Sequence, residues 1–217
     1  MKNVIVTRAY KEVYQENDTI VKLFETTHPK SAIFNEALNT ARVEETGLNI
    51  PAVKSVCQID GKWALTLEYR EGKTLEQIMK EDPDNIETYM EQFVDLQIEM
   101  FSKRAPKLKK LKDKLARLIN GLKEVDATTR YELLTRLESM PKHNKLCHGD
   151  FNPTNIIVKE NGEYYIIDWS HATQGNASAD AARTFLLFSM QGKEELANKY
   201  LDLFSKASDI SKSHIQR

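Results

Sequence analysis

The stretch that decides the reading is HGDFNPTNIIVKENGEYYIID, residues 148–168. Ile156, Ile157 and Val158 form a short apolar run, and Tyr164 to Ile167 form a return strand. Between them Asn161-Gly162 is a strong hairpin signal, because both residues tolerate positive φ in a type I′ turn. With Asn161 and Gly162 as the two central turn residues, Glu160 faces Glu163, and counting outward in register places Asn155 opposite Asp168. Directly opposed residues share one face of the ribbon, with Cβ atoms about 4.5–5.5 Å apart. An amide oxygen and a carboxylate at that spacing suit one hard divalent cation such as Mg²⁺. Asp150 stands on the loop leading into the same end, where a carboxylate can orient a hydroxyl and accept its proton. The pattern outlines phosphoryl-transfer chemistry. Each residue also has a plainer reading. Asp150 caps turns, Asn155 forms them, and Asp168 is a competent helix N-cap. The shared hairpin is what raises the functional reading above these.

Two histidines flank this set. His148 reads as a loop brace, since a neutral imidazole can hold a turn through its two nitrogens. His171 follows Asp168 closely, so a cluster of His148, Asp150, Asp168 and His171 is the competing reading. It implies a metal-dependent phosphohydrolase, and the hairpin count disfavours it by placing Asn155, not His171, opposite Asp168.

Working outward, the chain before this stretch alternates like antiparallel sheet. Val4–Val6, Glu12–Gln15 and Thr19–Phe24 read as strands, with a turn at Asn17-Asp18. Ser31–Thr46 reads as a helix with Ile33, Ala37, Ala41 and Glu44 on one face, Phe34 and Leu38 beside it, and Gly47 as its stop. Lys54–Ile59 and Lys62–Tyr69 are strands joined at Asp60-Gly61. Lys22 lies between Val21 and Leu23, and a cation in an apolar strand needs a partner or solvent. Glu36 on the following helix is the natural partner, and the pair suits nucleotide phosphates. A half-exposed strand lysine is an equally ordinary reading.

The composition changes at Tyr69-Arg70-Glu71-Gly72, the expected hinge. Helices are expected after it: Ile86–Ser102, the leucine-striped Leu108–Lys123, Tyr131–Met140, Asp180–Met190 and Glu194–Lys206. The expected division is therefore residues 1–68, a sheet with one helix, and residues 69–217, mostly helical with the site hairpin. Asp180 is expected to brace the active loop. The row Glu87, Glu91, Asp95, Glu99 and the basic run Lys103–Lys123 both read as solvated helix faces.

The whole-chain numbers agree. The 217 residues carry a formal charge of −1, with 41% apolar and 29% charged residues. That is an ordinary globular composition with no whole-protein pull toward nucleic acid or membrane. No apolar run reaches membrane-spanning length, and Cys57 and Cys147 lack metal-like spacing. A cytoplasmic protein with reduced thiols is expected.

These motifs resemble the aminoglycoside phosphotransferase and choline kinase family, in particular its short bacterial members. The family's catalytic loop, H-G-D-x-x-x-x-N, is matched by His148-Gly149-Asp150-Phe151-Asn152-Pro153-Thr154-Asn155, and its metal aspartate by Asp168-Trp169. Asp180-Ala181-Ala182-Arg183 before an apolar helix is also typical. By pattern, Val21-Lys22-Leu23 resembles the ATP-lysine strand, Glu36 the helix glutamate, and Glu68-Tyr69-Arg70 the adenine hinge. The resemblance implies an α+β, two-lobed protein-kinase-like fold, with a small antiparallel-sheet N-lobe carrying one helix and a mostly helical C-lobe. It implies transfer of the γ-phosphoryl group of ATP (or GTP), with Mg²⁺, to a hydroxyl of a small molecule. Asp150 would be the base and Asn155 and Asp168 the metal ligands. Lys22 and Glu36 would position the phosphates, with Glu68 and Arg70 at the nucleotide. Three departures stand out. No glycine precedes Gly47, so no glycine-rich loop covers the phosphates; backbone amides around Thr7–Lys11 would have to do this, and a weakly catalytic nucleotide-binding protein is a further alternative. Asn152 and Thr154 stand where the family often has His and Gly. Relatives of this kind continue with helix beyond Ile215-Gln216-Arg217, an end that reads as a truncation or a natural short form.

Overall fold

The computed structural model describes residues 2–216. In chain order its elements are β1 (Asn3–Arg8), β2 (Lys11–Glu16), β3 (Thr19–Phe24), α1 (Lys30–Glu44), β4 (Val53–Ile59), β5 (Lys62–Glu68), β6 (Lys73–Thr74), α2 (Leu75–Glu81), α3 (Ile86–Ser102), α4 (Leu111–Gly121) and α5 (Ala127–Ser139). There follow β7 (Lys145–Cys147), β8 (Ile156–Val158), β9 (Tyr164–Ile166), β10 (Thr173–Gly175), α6 (Ala177–Met190), α7 (Glu194–Ser208) and α8 (Lys212–Gln216). By their contacts these form two compact units. One is the chain up to Tyr89 with Asn152–His171; the other is Met90–Phe151 with the chain from Ala172 on. Within the first unit β6 pairs with β8 of the site hairpin, Lys73 opposite Val158.

In the first unit, five antiparallel strands run in the order β1-β2-β3-β5-β4. Alternation puts Phe24, Leu65 and Leu67 on one face, where they pack with Ile33 and Ala37 of α1. Burying each large side chain of this kind contributes about 1.5–3 kcal/mol. The buried face of α1 is Ile33, Glu36, Ala37, Asn39, Thr40 and Val43. This corrects the expected face, for Ala41 is exposed and so are Phe34 and Leu38. The helix is turned so that Glu36 points inward, and an ionic partner at that position outweighs two surface hydrophobes.

The site hairpin has a different register from the one expected. Ile156 faces Ile166 and Val158 faces Tyr164, so Asn155 comes opposite Ile167 and not Asp168. The loop has three residues, Glu160 to Gly162. Gly162 N–H donates to Lys159 O at 3.0 Å, and Lys159 N–H to Glu163 O at 2.9 Å. Gly162 takes the left-handed conformation, φ 81°, which makes a type I turn with a glycine bulge in place of the two-residue turn.

The second unit packs around aromatic rings. Phe93 meets Phe151 with centroids 4.6 Å apart, and Tyr200 lies against Phe93, Phe188 and Phe204. Gln97 is fully buried among them and is satisfied on both sides. Its amide N–H donates to Thr184 Oγ1 at 3.3 Å, and its oxygen accepts from Tyr200 Oη at 2.7 Å. Thr184 in turn donates to Phe151 O at 2.9 Å, anchoring the end of the His148–Phe151 loop. Helix α4 is shorter than the expected Leu108–Lys123, and none of its leucines is fully buried. Glu87, Glu91, Asp95 and Glu99 are all exposed along α3, as a solvated face requires.

Candidate active site

A cleft of about 430 Å³ in the first unit is lined by Lys11, Lys22, Glu68, Arg70, Asn155 and Asp168, among others. Lys22 comes from the middle of β3, opposite Leu65 of β5. Its ammonium is 2.6 Å from Glu36 Oε1 and 3.4 Å from Asp168 Oδ1. Lys22 and Glu36 are only 7% and 6% exposed, which removes the half-exposed alternative for Lys22. Burial alone would lower the Lys22 pKa. The Glu36 and Asp168 carboxylates outweigh it, so the ammonium is held charged, above the ordinary lysine value. Lys11, at the start of β2, approaches the other carboxylate oxygen of Asp168 at 3.8 Å.

Asn155 and Asp168 reach this cleft without the Cβ opposition that the two-residue turn implied. Ile167 N–H donates to Asn155 O at 2.9 Å, so the ladder continues one step past β8 and β9. Asp168 then leaves strand geometry with φ 64°, a conformation Asp adopts more readily than most residues. A one-residue slip would send an ordinary strand residue to the opposite face; the change of backbone conformation is how Asp168 lines the same cleft. Trp169 pins this bend, its indole N–H donating to Ile166 O at 3.0 Å, and Asn39 of α1 donates to Ser170 O at 3.2 Å. An amide and a carboxylate in one cleft are the hard oxygen donors a Mg²⁺ ion takes, so the residues fit that metal by chemistry.

Glu68 and Arg70 form an ion pair at 2.7 Å, and Glu68 Oε2 also accepts from Ala52 N at 3.3 Å. Arg70 stacks 4.5 Å over the Tyr165 ring. Their side chains are thus engaged with the fold around the cleft.

In the second unit, Asp150 is half-buried on the loop after β7. The loop is held from two sides. Asp180, in the first turn of α6, accepts from Gly149 N–H at 2.7 Å and from His148 N–H at 3.1 Å. Gly149 has φ 79°, a turn that glycine makes without steric cost. The fully buried His148 accepts the Asp150 N–H on Nδ1 at 3.2 Å. Burial raises the Asp180 pKa, opposed by His148 and the two N–H donors. Arg183 and His171 are exposed, and among the described residues no three His, Cys, Asp or Glu side chains are gathered to hold a metal ion.

The sequence points to Thr7–Lys11 only through its backbone amides; the Lys11 side chain in the cleft is the feature that reading leaves out. The signal was present: a turn at Asn17-Asp18 pairs Glu16 with Thr19, hence Val13 with Lys22, and Lys11 lies two residues along on the same face.

The first unit thus holds a buried Lys–Glu pair between a five-stranded antiparallel sheet and one helix, with an aspartate after the hairpin, and the second holds a braced His-Gly-Asp loop. The chain is similar to an aminoglycoside-3'-phosphotransferase of type VIII, at 16% identity over 99% of this chain and 90% of that one, with TM-score 0.70. It is similar to the ADP-bound aminoglycoside phosphotransferase APH(2'')-Ib at 17% identity, covering 100% and 81%, TM-score 0.65. It is also similar to a choline/ethanolamine kinase family protein from Mesorhizobium loti at 14% identity, covering 94% and 69%, TM-score 0.57. These likenesses establish the α+β fold. No curated protein sequence matches the chain. The family model described as the phosphotransferase enzyme family matches residues 7–211, and the chain belongs to that family. It is an enzyme of the small-molecule kinase class.

Proposed function

We propose that this chain is an ATP- and Mg²⁺-dependent phosphotransferase that moves the γ-phosphoryl group to a hydroxyl of a small molecule. The observation that carries the reading is the buried Lys22, held between Glu36 at 2.6 Å and Asp168 at 3.4 Å in the cleft that Asn155 also lines. Among the similar structures are a ternary complex of APH(4)-Ia with AMP-PNP and hygromycin B and the ADP-bound APH(2'')-Ib. They support a nucleotide and a small-molecule acceptor for this chain.

In this reading Lys22, oriented by Glu36, holds nucleotide phosphates as a point charge. Asn155 and Asp168 would hold Mg²⁺, which when bound neutralises phosphate charge. The backbone from Glu68 to Arg70 borders the nucleobase, braced by the Glu68–Arg70 pair. Asp150 orients the acceptor hydroxyl and takes its proton, and His148 and Asp180 keep the Asp150 loop in shape. The N-lobe of this reading is residues 1–68 and the C-lobe 69–217. We place the enzyme in the cytoplasm, where ATP and Mg²⁺ are supplied; no helix among the described residues is long and apolar enough to cross a membrane.

The test is calorimetric titration of Mg·ATP into the parent protein and Asp168→Ala. Metal-dependent binding in the parent that loses its Mg²⁺ dependence in the variant supports the assignment. Equal Mg²⁺ dependence in both refutes the metal site.

A further inference from the structure

The β1–β2 hairpin borders the cleft but contains no glycine, and the sequence has none before Gly47. A glycine-rich loop holds phosphates with backbone N–H groups that its open conformations expose. This hairpin has no such freedom: Arg8 pairs with Lys11 across a tip of only Ala9 and Tyr10, neither with positive φ. The tip is also tied down. Tyr10 O accepts from Glu25 N at 2.9 Å, and the Tyr10 ring stacks on His28 with centroids 5.2 Å apart.

Lys11 stands directly after the tip of this fixed hairpin, paired with Arg8. It is 7% exposed and lines the cleft. A buried ammonium is costly without a close partner. Lys22 has one in Glu36 at 2.6 Å, whereas among the described residues Lys11 makes a single ion pair, the 3.8 Å contact to the Asp168 that Lys22 also approaches. Two ammonium groups thus converge from adjacent strands on one carboxylate that faces the cleft. A group carrying several negative oxygens fits between them better than one carboxylate does.

Resting on the nucleotide reading above, we propose that Lys11 is a phosphate-binding residue. Its ammonium, paired with that of Lys22, holds the phosphate chain of a nucleoside triphosphate in place of glycine-loop amides. The hairpin serves as a rigid mount for a charge.

The experiment compares Mg·ATP and adenosine binding by calorimetry in the parent, Lys11→Met, Lys11→Gln and Lys11→Arg. Adenosine has the base and sugar but no phosphate. Loss of a charge-assisted contact predicts Mg·ATP affinity about 10- to 100-fold weaker in Lys11→Met and Lys11→Gln. Adenosine affinity stays within about twofold of the parent, and Lys11→Arg keeps most of the ATP affinity. Unchanged ATP affinity in both neutral variants overturns the proposal, as does equal weakening of ATP and adenosine, which would make Lys11 a structural residue. A parent that binds neither ligand overturns the nucleotide reading itself, and this inference with it.

Discussion

Consider Glu36→Gln beside Lys22→Met. Both remove the 2.6 Å buried ion pair, but they strand different groups. Glu36→Gln leaves the Lys22 ammonium with an amide oxygen and with Asp168 at 3.4 Å, so one counter-charge remains. The expected cost is that of a charged hydrogen bond, about 1.5–3 kcal/mol. Lys22→Met leaves the Glu36 carboxylate, 6% exposed, without its cation. Removing one partner of a buried pair costs about 3–5 kcal/mol. At roughly 2–4 °C per kcal/mol for a chain of this size, Tm falls by about 3–12 °C in the first variant and about 6–20 °C in the second. Trp63 on β5 and Trp169 after β9 both lie in the unit that holds the pair, so tryptophan fluorescence during urea unfolding reads it directly. The pH dependence has a definite sign. The folded pKa of Lys22 is raised, so its contribution is fully present below the unfolded lysine value near 10.4 and is lost as pH rises through the folded value. The difference between parent and Glu36→Gln is therefore flat from about pH 6 to 9 and shrinks only above about pH 10. Equal costs for the two variants, or a difference that already fades between about pH 7 and 9, would refute the reasoning.

Three further expectations concern Asp180, Asp150 and Gly72. Asp180→Ala removes the acceptor of the His148 and Gly149 N–H groups; stability falls by about 2–4 kcal/mol and turnover drops more than acceptor KM rises, checked by denaturation and steady-state kinetics. Asp150→Asn abolishes turnover while Mg·ATP binding stays within about twofold, and retained turnover would remove Asp150 from the chemistry. Gly72 has φ 152°, and a Cβ there would run into Val158 O and stand 2.9 Å from Ile157 Cγ2. Gly72→Ala therefore lowers Tm by more than about 6 °C, whereas Gly121→Ala, with nothing within 4 Å of the added carbon, leaves Tm within about 2 °C.

Much of the fold was legible because its local signals agree with its contacts. Strand β3 and helix α3 run over the residues that alternation and helical spacing indicate, Thr19–Phe24 and Ile86–Ser102. Short elements escaped. β7 and β10 have three residues each, too few for a period, and β10 reads as Thr-Gln-Gly. It exists because Thr173 pairs with Cys147 and Leu111 packs against Gly175. Helix α2 went unmarked although its Thr74 N-cap and Gln77 form a capping box, a signal readable in the sequence. On α1 the expected Ile33 and Ala37 are buried and Glu36 meets Lys22, whereas Ala41, Phe34 and Leu38 face solvent, because the buried face is turned toward Glu36.

The sequence by itself determined the chemical identities: the His-Gly-Asp loop, the Asn and Asp with oxygens suited to a divalent cation, and a strand lysine with a helix glutamate to meet it. Those follow from residue type and spacing along a few residues of chain. Only the tertiary structure decided how they reach their places. A glycine bulge shifted the hairpin by one residue, and the left-handed turn at Asp168 returned its carboxylate to the cleft. The convergence of Lys11 with Lys22 on Asp168 depends on two strands and a distant bend meeting. Such distances come from packing of segments far apart in sequence, for which local periodicity carries no information.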